Sequence, residues 1–170
     1  MKHTVVNELN NFDYHDARLK MMQWDGSRFV WAVSAINATT KNSQNSFSKD
    51  MCIADATLVF DDARIESIAF GGYKTVDSTG NLIKSVAPRA AKPDEYKEIL
   101  AKTPNSYSYI YSMGKYETTK DGGYIACFDI DGGAGSYNLT IVFSKSAVCW
   151  DEFSGEAWYE HPKWKKQGDA

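Results

Sequence analysis

Apolar and polar positions alternate over much of the chain. Ala17, Leu19 and Met21 alternate with Arg18 and Lys20, the period of a half-buried strand. Asp25-Gly26 follows and supplies the positive backbone angles of a tight hairpin turn. On its far side Phe29, Trp31, Val33 and Ala35 share one face, and Val30, Ala32, Ser34 and Ile36 share the other. A second hairpin is predicted from Met51 to Phe70. In it Cys52, Ala54, Ala56, Leu58 and Phe60 lie on one side, and Asp61-Asp62 turns the chain. Asn37 to Lys49, almost wholly polar, predicts a long mobile surface loop. The first ten or so residues show no clear period and predict an N-terminal arm.

The two hairpins share a motif. Tyr14-His15-Asp16-Ala17-Arg18 is echoed by Phe60-Asp61-Asp62-Ala63-Arg64, each ahead of an alternating segment. Such a repeat serves either as the opening of two equivalent strands or as a polar site built there.

Further along, Pro93 suits a first helical position, Asp94 and Glu95 complement the positive end of a helix dipole, and Lys102 sits near the other end. Tyr96, Ile99 and Leu100 supply the apolar stripe, so one short helix is expected around residues 93–103. Strands return over about Ser106–Glu117, Tyr124–Ile130, Tyr137–Phe143 and Ala147–Phe153, separated by Gly-rich turns. The order of strands, one helix and strands predicts an α+β fold dominated by antiparallel sheet. A single globular domain is expected over 1–160, with a polar C-terminal tail over 161–170.

Composition narrows the functional classes. A formal net charge of -3 and 14% aromatic content are those of a globular chain with no basic footprint for nucleic acid. No apolar window is long enough for a membrane helix and no signal peptide opens the chain, so a cytoplasmic protein with no membrane partner is expected. Cys52, Cys127 and Cys149 are widely spaced and lack a zinc pattern, which predicts buried free thiols, no metal site and no cofactor.

Candidate chemistry is sparse. His15 beside Asp16 could act as acid, base or ligand, and Asp62 is its counterpart in the repeat. Sequence neighbours in a strand point to opposite faces, however, and the second copy lacks the His, which favours a structural role with Asp16 and Asp62 accepting backbone hydrogen bonds. Neither Cys127 nor Cys149 has the basic or small neighbours that activate a thiol, and no Gly-x-Ser-x-Gly or phosphate loop is present. Asp129-Ile130-Asp131-Gly132-Gly133 lacks the closing acid of a calcium loop and reads as a hairpin turn. Tyr107, Tyr109 and Tyr111 form a ladder on one strand face, read as packing with hydroxyls at the rim. Near the C-terminus, Trp150, Glu152, Glu156, Trp158 and Tyr159 combine aromatic anchors with carboxylates, a composition suited to capturing a basic protein partner. Alternatively, those aromatics close the open end of the core.

The stretch from Phe12 to Ala17, followed by Trp24-Asp25-Gly26, resembles the start of small bacterial β-rich domains, some of which are immunity proteins of polymorphic toxin systems. That resemblance implies a protein that binds and blocks one partner and carries no catalytic motif. The expectation is therefore a non-enzymatic protein-binding module, with a small-ligand or enzymatic site around His15, Asp16 and Asp62 as the alternative.

Overall fold

The computed structural model describes residues 1–161 and 163. It is mostly antiparallel β-sheet, 54% strand, with a little helix at 10%, a loose match to the α+β expectation. The strands are β1 (His3–Val6), β2 (Phe12–Asp13), β3 (Ala17–Trp24), β4 (Phe29–Ala38), β5 (Met51–Asp61), β6 (Arg64–Phe70), β7 (Tyr73–Val76), β8 (Leu82–Val86) and β9 (Arg89–Ala90). A 3-10 turn at Pro93–Glu95 leads into α1 (Tyr96–Lys102), inside the predicted helical span. The chain then forms β10 (Tyr109–Thr118), β11 (Tyr124–Asp131), β12 (Tyr137–Phe143), β13 (Lys145–Trp150) and β14 (Phe153–Glu156).

The main sheet runs β1-β13-β5-β4-β3-β10-β11-β12-β6-β9, with β2 also on β4 and β14 also on β5. The second hairpin expected from Met51 to Phe70 does not form: β5 pairs with β4 and β13 and β6 with β12 and β9, so β5 and β6, like β12 and β13, sit far apart in this order although adjacent in sequence. The sheet is therefore folded over, and both crossings occur at one corner. There the Ser144 N–H donates to the Asp61 carbonyl at 3.0 Å, and the Ser144 hydroxyl to Asp62 Oδ2 at 2.6 Å. Folding over brings the inner faces of the two wings together. Trp31 of β4 meets Phe128 of β11 at 4.9 Å between ring centroids, and Phe60 of β5 meets Phe143 of β12 at 5.1 Å. Edge-on aromatic pairs of this kind contribute about 0.5–1.5 kcal/mol each beyond the area they bury.

The β3–β4 hairpin forms as expected, but strict alternation fails at specific places. A bulge between Leu19 and Met21 turns Met22 rather than Met21 into the core. In β4 the inward face shifts from Val33 to Ile36, because Ala35 takes a left-handed φ of 61° and is exposed. Directly across, β5 shifts too: Ile53 and Met51 are buried where Ala54 and Cys52 were expected, while Ala56, Leu58 and Phe60 keep their face. The two strands break period together, so their pairing register survives.

Three other expectations change. The N-terminal arm contains β1, which pairs with β13 along His3–Val6. The polar loop before β5 is tied down by its own side chains: Asn45 Nδ2 donates to the carbonyls of Ala38, Thr39 and Lys49, and Asp50 accepts from the Thr40 N–H. Asn and Asp side chains satisfy backbone groups in this way where no ladder does. The three cysteines are free but only half-buried, because each alternates with the core residues of its strand. The polar tail expected over 161–170 lies, apart from His161 and Lys163, outside the described residues.

Strands β7 and β8 form a separate two-stranded arm whose large apolar side chains, Tyr73, Val76, Leu82 and Ile83, are exposed. Its tip is closed by Asp77, which accepts from the N–H groups and side chains of Thr79 and Asn81. No helix among the described residues is long and apolar enough to cross a membrane.

Candidate functional site

The repeated motif is a single backbone device used twice. Asp16 and Asp62 both adopt left-handed conformations, φ 61° and 51°, which Asp tolerates better than most residues. In each copy a buried aromatic, Tyr14 or Phe60, precedes this kink and a buried alanine, Ala17 or Ala63, follows it. The kink resets the chain so that the Ala enters the core as the next strand segment begins. Backbone geometry, rather than the expected acceptance of backbone hydrogen bonds by the two carboxylates, is what the copies share. Asp62 instead accepts from Ser144 at the corner.

The two copies do not converge. Asp16 adjoins the end of β3 that pairs with Ser34, whereas Asp62 adjoins the end of β5 that pairs with Phe29. Strand rise puts them on the order of 25 Å apart, so a shared pocket of His15, Asp16 and Asp62 does not exist. His15 and Asp16 do meet: His15 Nδ1 lies 3.0 Å from Asp16 Oδ2, because the left-handed residue cancels the strand alternation that would separate them.

The C-terminal set also divides. Trp150 is 1% exposed and stacks on His3 at 5.1 Å, so it is core and cannot touch a partner, as the core-closing alternative required. Trp158 is 56% exposed and packs edge-on against Tyr159. The Tyr159 hydroxyl donates to Asp50 Oδ2 at 2.9 Å, and Glu156 accepts from Lys49 at 2.6 Å. Glu152 is exposed in the turn between β13 and β14. These residues brace the loop before β5 more than they form one continuous surface.

An acidic-aromatic surface is built elsewhere, on the outer face of β10 and β11. In β11, Ala126, Phe128 and Ile130 are wholly buried, so Asp129 and Asp131 point outward. Tyr109 lies across from Asp131 in the ladder and stacks on Tyr111 with centroids 6.5 Å apart and planes 22° from parallel. Asp16, just before β3, continues the row on the other side, with Arg18 opposite Tyr109 adding a cation to this patch. Tyr111 is 39% exposed and lies near Asp131, whose Oδ1 accepts from the Ser136 hydroxyl at 2.8 Å. The Tyr111 pKa is pushed up first by burial, then by the negative charges of Asp131, Asp16 and Asp129, so all three carboxylates act on one ring. Tyr107, expected to pack, is instead 77% exposed.

Two clefts flank this face. The smaller, about 420 Å³, is lined by Asp13, Tyr14, His15, Tyr111, Met113 and Tyr116 among others. The larger, about 1000 Å³, opens between the root of the β7–β8 arm, α1 and the β11–β12 turn. Its walls include Phe70, Ile99 and Tyr137, and it is also lined by Asp129 and Asp131. Within it Arg89 is paired with Glu95 at 3.0 Å and lies over the Phe70 ring, and Lys102 is paired with Glu98. Asp129 and Asp131, which line this larger cleft and not the smaller one, are left without an ion pair among the described residues. β11 and β12 are joined by the expected hairpin turn, and no cluster of metal-ligating side chains converges among the described residues. Gly132 and Gly133 let the turn press on α1: a Cβ at either would collide with the carbonyl oxygens of Thr103 or Lys102.

The sequence pointed to Asp129, Asp131 and the Tyr ladder separately but not to their union. The signal available was the parity of each strand, which puts Tyr109, Tyr111, Asp129 and Asp131 on outward positions once Phe128 and Ile130 are assigned to the core. No family model, no curated protein and no solved structure matches this chain.

Proposed function

We propose that the protein is a non-enzymatic binding module that captures a basic segment of another protein on the tyrosine face of β10 and β11. The observation carrying this is the stacked Tyr109–Tyr111 pair set in the field of Asp16, Asp129 and Asp131, with clefts on both sides. Lys and Arg are recognised by such a surface twice over, through carboxylates and through the faces of aromatic rings. A tyrosine platform offers large contact area at low entropic cost. Binding and blocking a partner is the mode of action that the resemblance to immunity-type proteins implies, and an acidic face would suit a basic toxin domain. The C-terminal residues Glu156 and Tyr159 instead hold the loop before β5 in place through Lys49 and Asp50.

Octalysine, with octaglutamate as control, provides the test. Calorimetric titration is expected to show salt-sensitive binding of octalysine only, weakened about tenfold in the Asp129→Asn/Asp131→Asn double variant. Equal affinity in the double variant, or no binding of octalysine at all, would overturn the assignment of this face.

A further inference from the structure

The β7–β8 arm stands almost uncovered. Every residue of β7, and every residue of β8 except Val86, is exposed, and the large apolar side chains of Tyr73, Val76, Leu82 and Ile83 are among them. Neither strand joins the main sheet, so both outer backbone edges of the arm are open as well. A two-stranded hairpin by itself is only marginally stable in water, and an exposed apolar patch of this kind marks an interaction surface.

The arm is also basic. Lys74 and Lys84 sit among its apolar residues, with Lys84 Nζ 5.4 Å from the centre of the Tyr73 ring. Its acid, Asp77, is engaged by Thr79 and Asn81 at the tip. Neither lysine has an ion pair among the described residues. The larger cleft has the opposite character. Its Glu95 and Glu98 are matched by Arg89 and Lys102, which leaves Asp129 and Asp131 as unmatched charges, with Phe70 and Ala134 among the apolar lining. Tyr73 and Val86, the cross-strand pair at the root of the arm, line that same cleft. Basic arm and acidic cleft therefore share one rim. Two copies facing each other across a two-fold axis at that rim set each arm over the other's cleft, and every contact is then made twice.

We propose that the protein forms a two-fold dimer by reciprocal exchange of the β7–β8 arms, each arm lying in the larger cleft of a second copy. There Lys74 and Lys84 meet Asp129 and Asp131, and Val76, Leu82 and Ile83 are covered. A closed pair results rather than a filament, because the copy that gives its arm also receives one. This goes beyond the reading of β10 and β11 as a face for a basic partner. The two surfaces share Asp129 and Asp131, so such a partner competes with the dimer.

Sedimentation equilibrium of the full chain is expected to show a species of twice the chain mass that grows with concentration. Two charge-reversed variants, Lys74→Glu/Lys84→Glu and Asp129→Lys/Asp131→Lys, are each expected to dimerise at least about a hundredfold more weakly, since like charges then face each other. Mixed in equal amounts they should pair again, because each arm meets a cleft of opposite charge. A parent chain that stays monomeric up to about 100 µM, variants that dimerise as the parent does, or a mixture that fails to pair would overturn the exchange. If a variant does not fold, hydrogen exchange in the parent decides. The β7 and β8 amides should be protected as protein concentration rises, and exchange that ignores concentration counts against the dimer. A dimer that forms while octalysine binds neither parent nor variant supports the exchange and removes the basic-partner face. Octalysine binding to a strictly monomeric parent does the reverse.

Discussion

At the scale of single residues, the left-handed aspartates are where identity and conformation are most tightly tied. Asp16→Val places a β-branched side chain at φ 61° and is expected to lower unfolding stability by about 1–2 kcal/mol. Asp16→Asn, which tolerates the same conformation, should change it by only a few tenths. Urea melts of the two variants separate backbone demand from carboxylate chemistry. If Asn costs as much as Val, the Asp16 carboxylate matters and the architectural role is wrong. The repeat of Asp, Ala and Arg was legible in the sequence as one device used twice. That Asp16 and Asp62 stand at opposite ends of the sheet was not, because nothing local encodes which end of a strand a distant copy will occupy. Trp150 shows the converse limit: a Trp among carboxylates reads as a surface anchor, but its burial depends on β1 and β5 lying on either side of β13. Trp150→Ala is accordingly expected to cost about 3–5 kcal/mol in the same melts, as for a core aromatic, and Trp158→Ala under about 1 kcal/mol.

At the scale of elements, alternation located the β3–β4 hairpin, wrongly joined β5 and β6 into a second one, and misassigned faces where parity slips. Met21 against Met22, Ala35 against Ile36 and Cys52 against Ile53 are all single-residue slips of parity. Such slips leave little trace in hydrophobicity when both faces of a strand carry apolar residues, whether they come from a bulge, as between Leu19 and Met21, or from the left-handed Ala35 opposite β5. The turn before β12 is governed by closeness rather than by angles. Gly133→Ala sets a methyl against the Lys102 carbonyl and is expected to destabilise by about 1–3 kcal/mol, with faster amide exchange in α1 than elsewhere. Exchange that rises uniformly would mean the turn does not specifically hold the helix. The β7–β8 arm has a different dependence, on protons. The Thr79 and Asn81 side chains and their N–H groups hold the Asp77 carboxyl well below the usual carboxylate range. A carboxyl lowered in the folded state contributes its stabilisation above its unfolded pKa and loses it as pH falls through the lowered folded value. The arm tip is therefore expected to stay closed through mild acid. Its Thr79 and Asn81 amide shifts should move only in strong acid, and movement near the ordinary carboxylate range would contradict the Asp77 network.

At the scale of the whole molecule, the sequence yielded strand-rich antiparallel architecture and the position of the single helix, while strand order stayed out of reach. Hairpins are local and their turns can be read; the folding over of the sheet depends on β5 finding β13 and β6 finding β12. Those pairings join residues on the order of 80 positions apart, and the rolled core of Trp31, Phe60, Phe128 and Phe143 follows from them. The candidate site shares this origin. Tyr111, Asp16 and Asp131 come from three strands that only the completed sheet sets side by side, so the sequence offered the ingredients as separate motifs.

The place of β13 has a consequence for how the chain is made. During synthesis β5 emerges early and pairs with β4 on one side, but its other edge waits for residues that follow β12. At the usual 5–20 residues per second this leaves a long, largely apolar strand edge uncovered for on the order of ten seconds. An unpaired edge of that kind is a template for joining other chains. The newborn protein is thus most prone to aggregate in the interval before β13 arrives, and ribosomes stalled between β6 and β12 should carry chains that recruit chaperones more strongly than those stalled after Trp150.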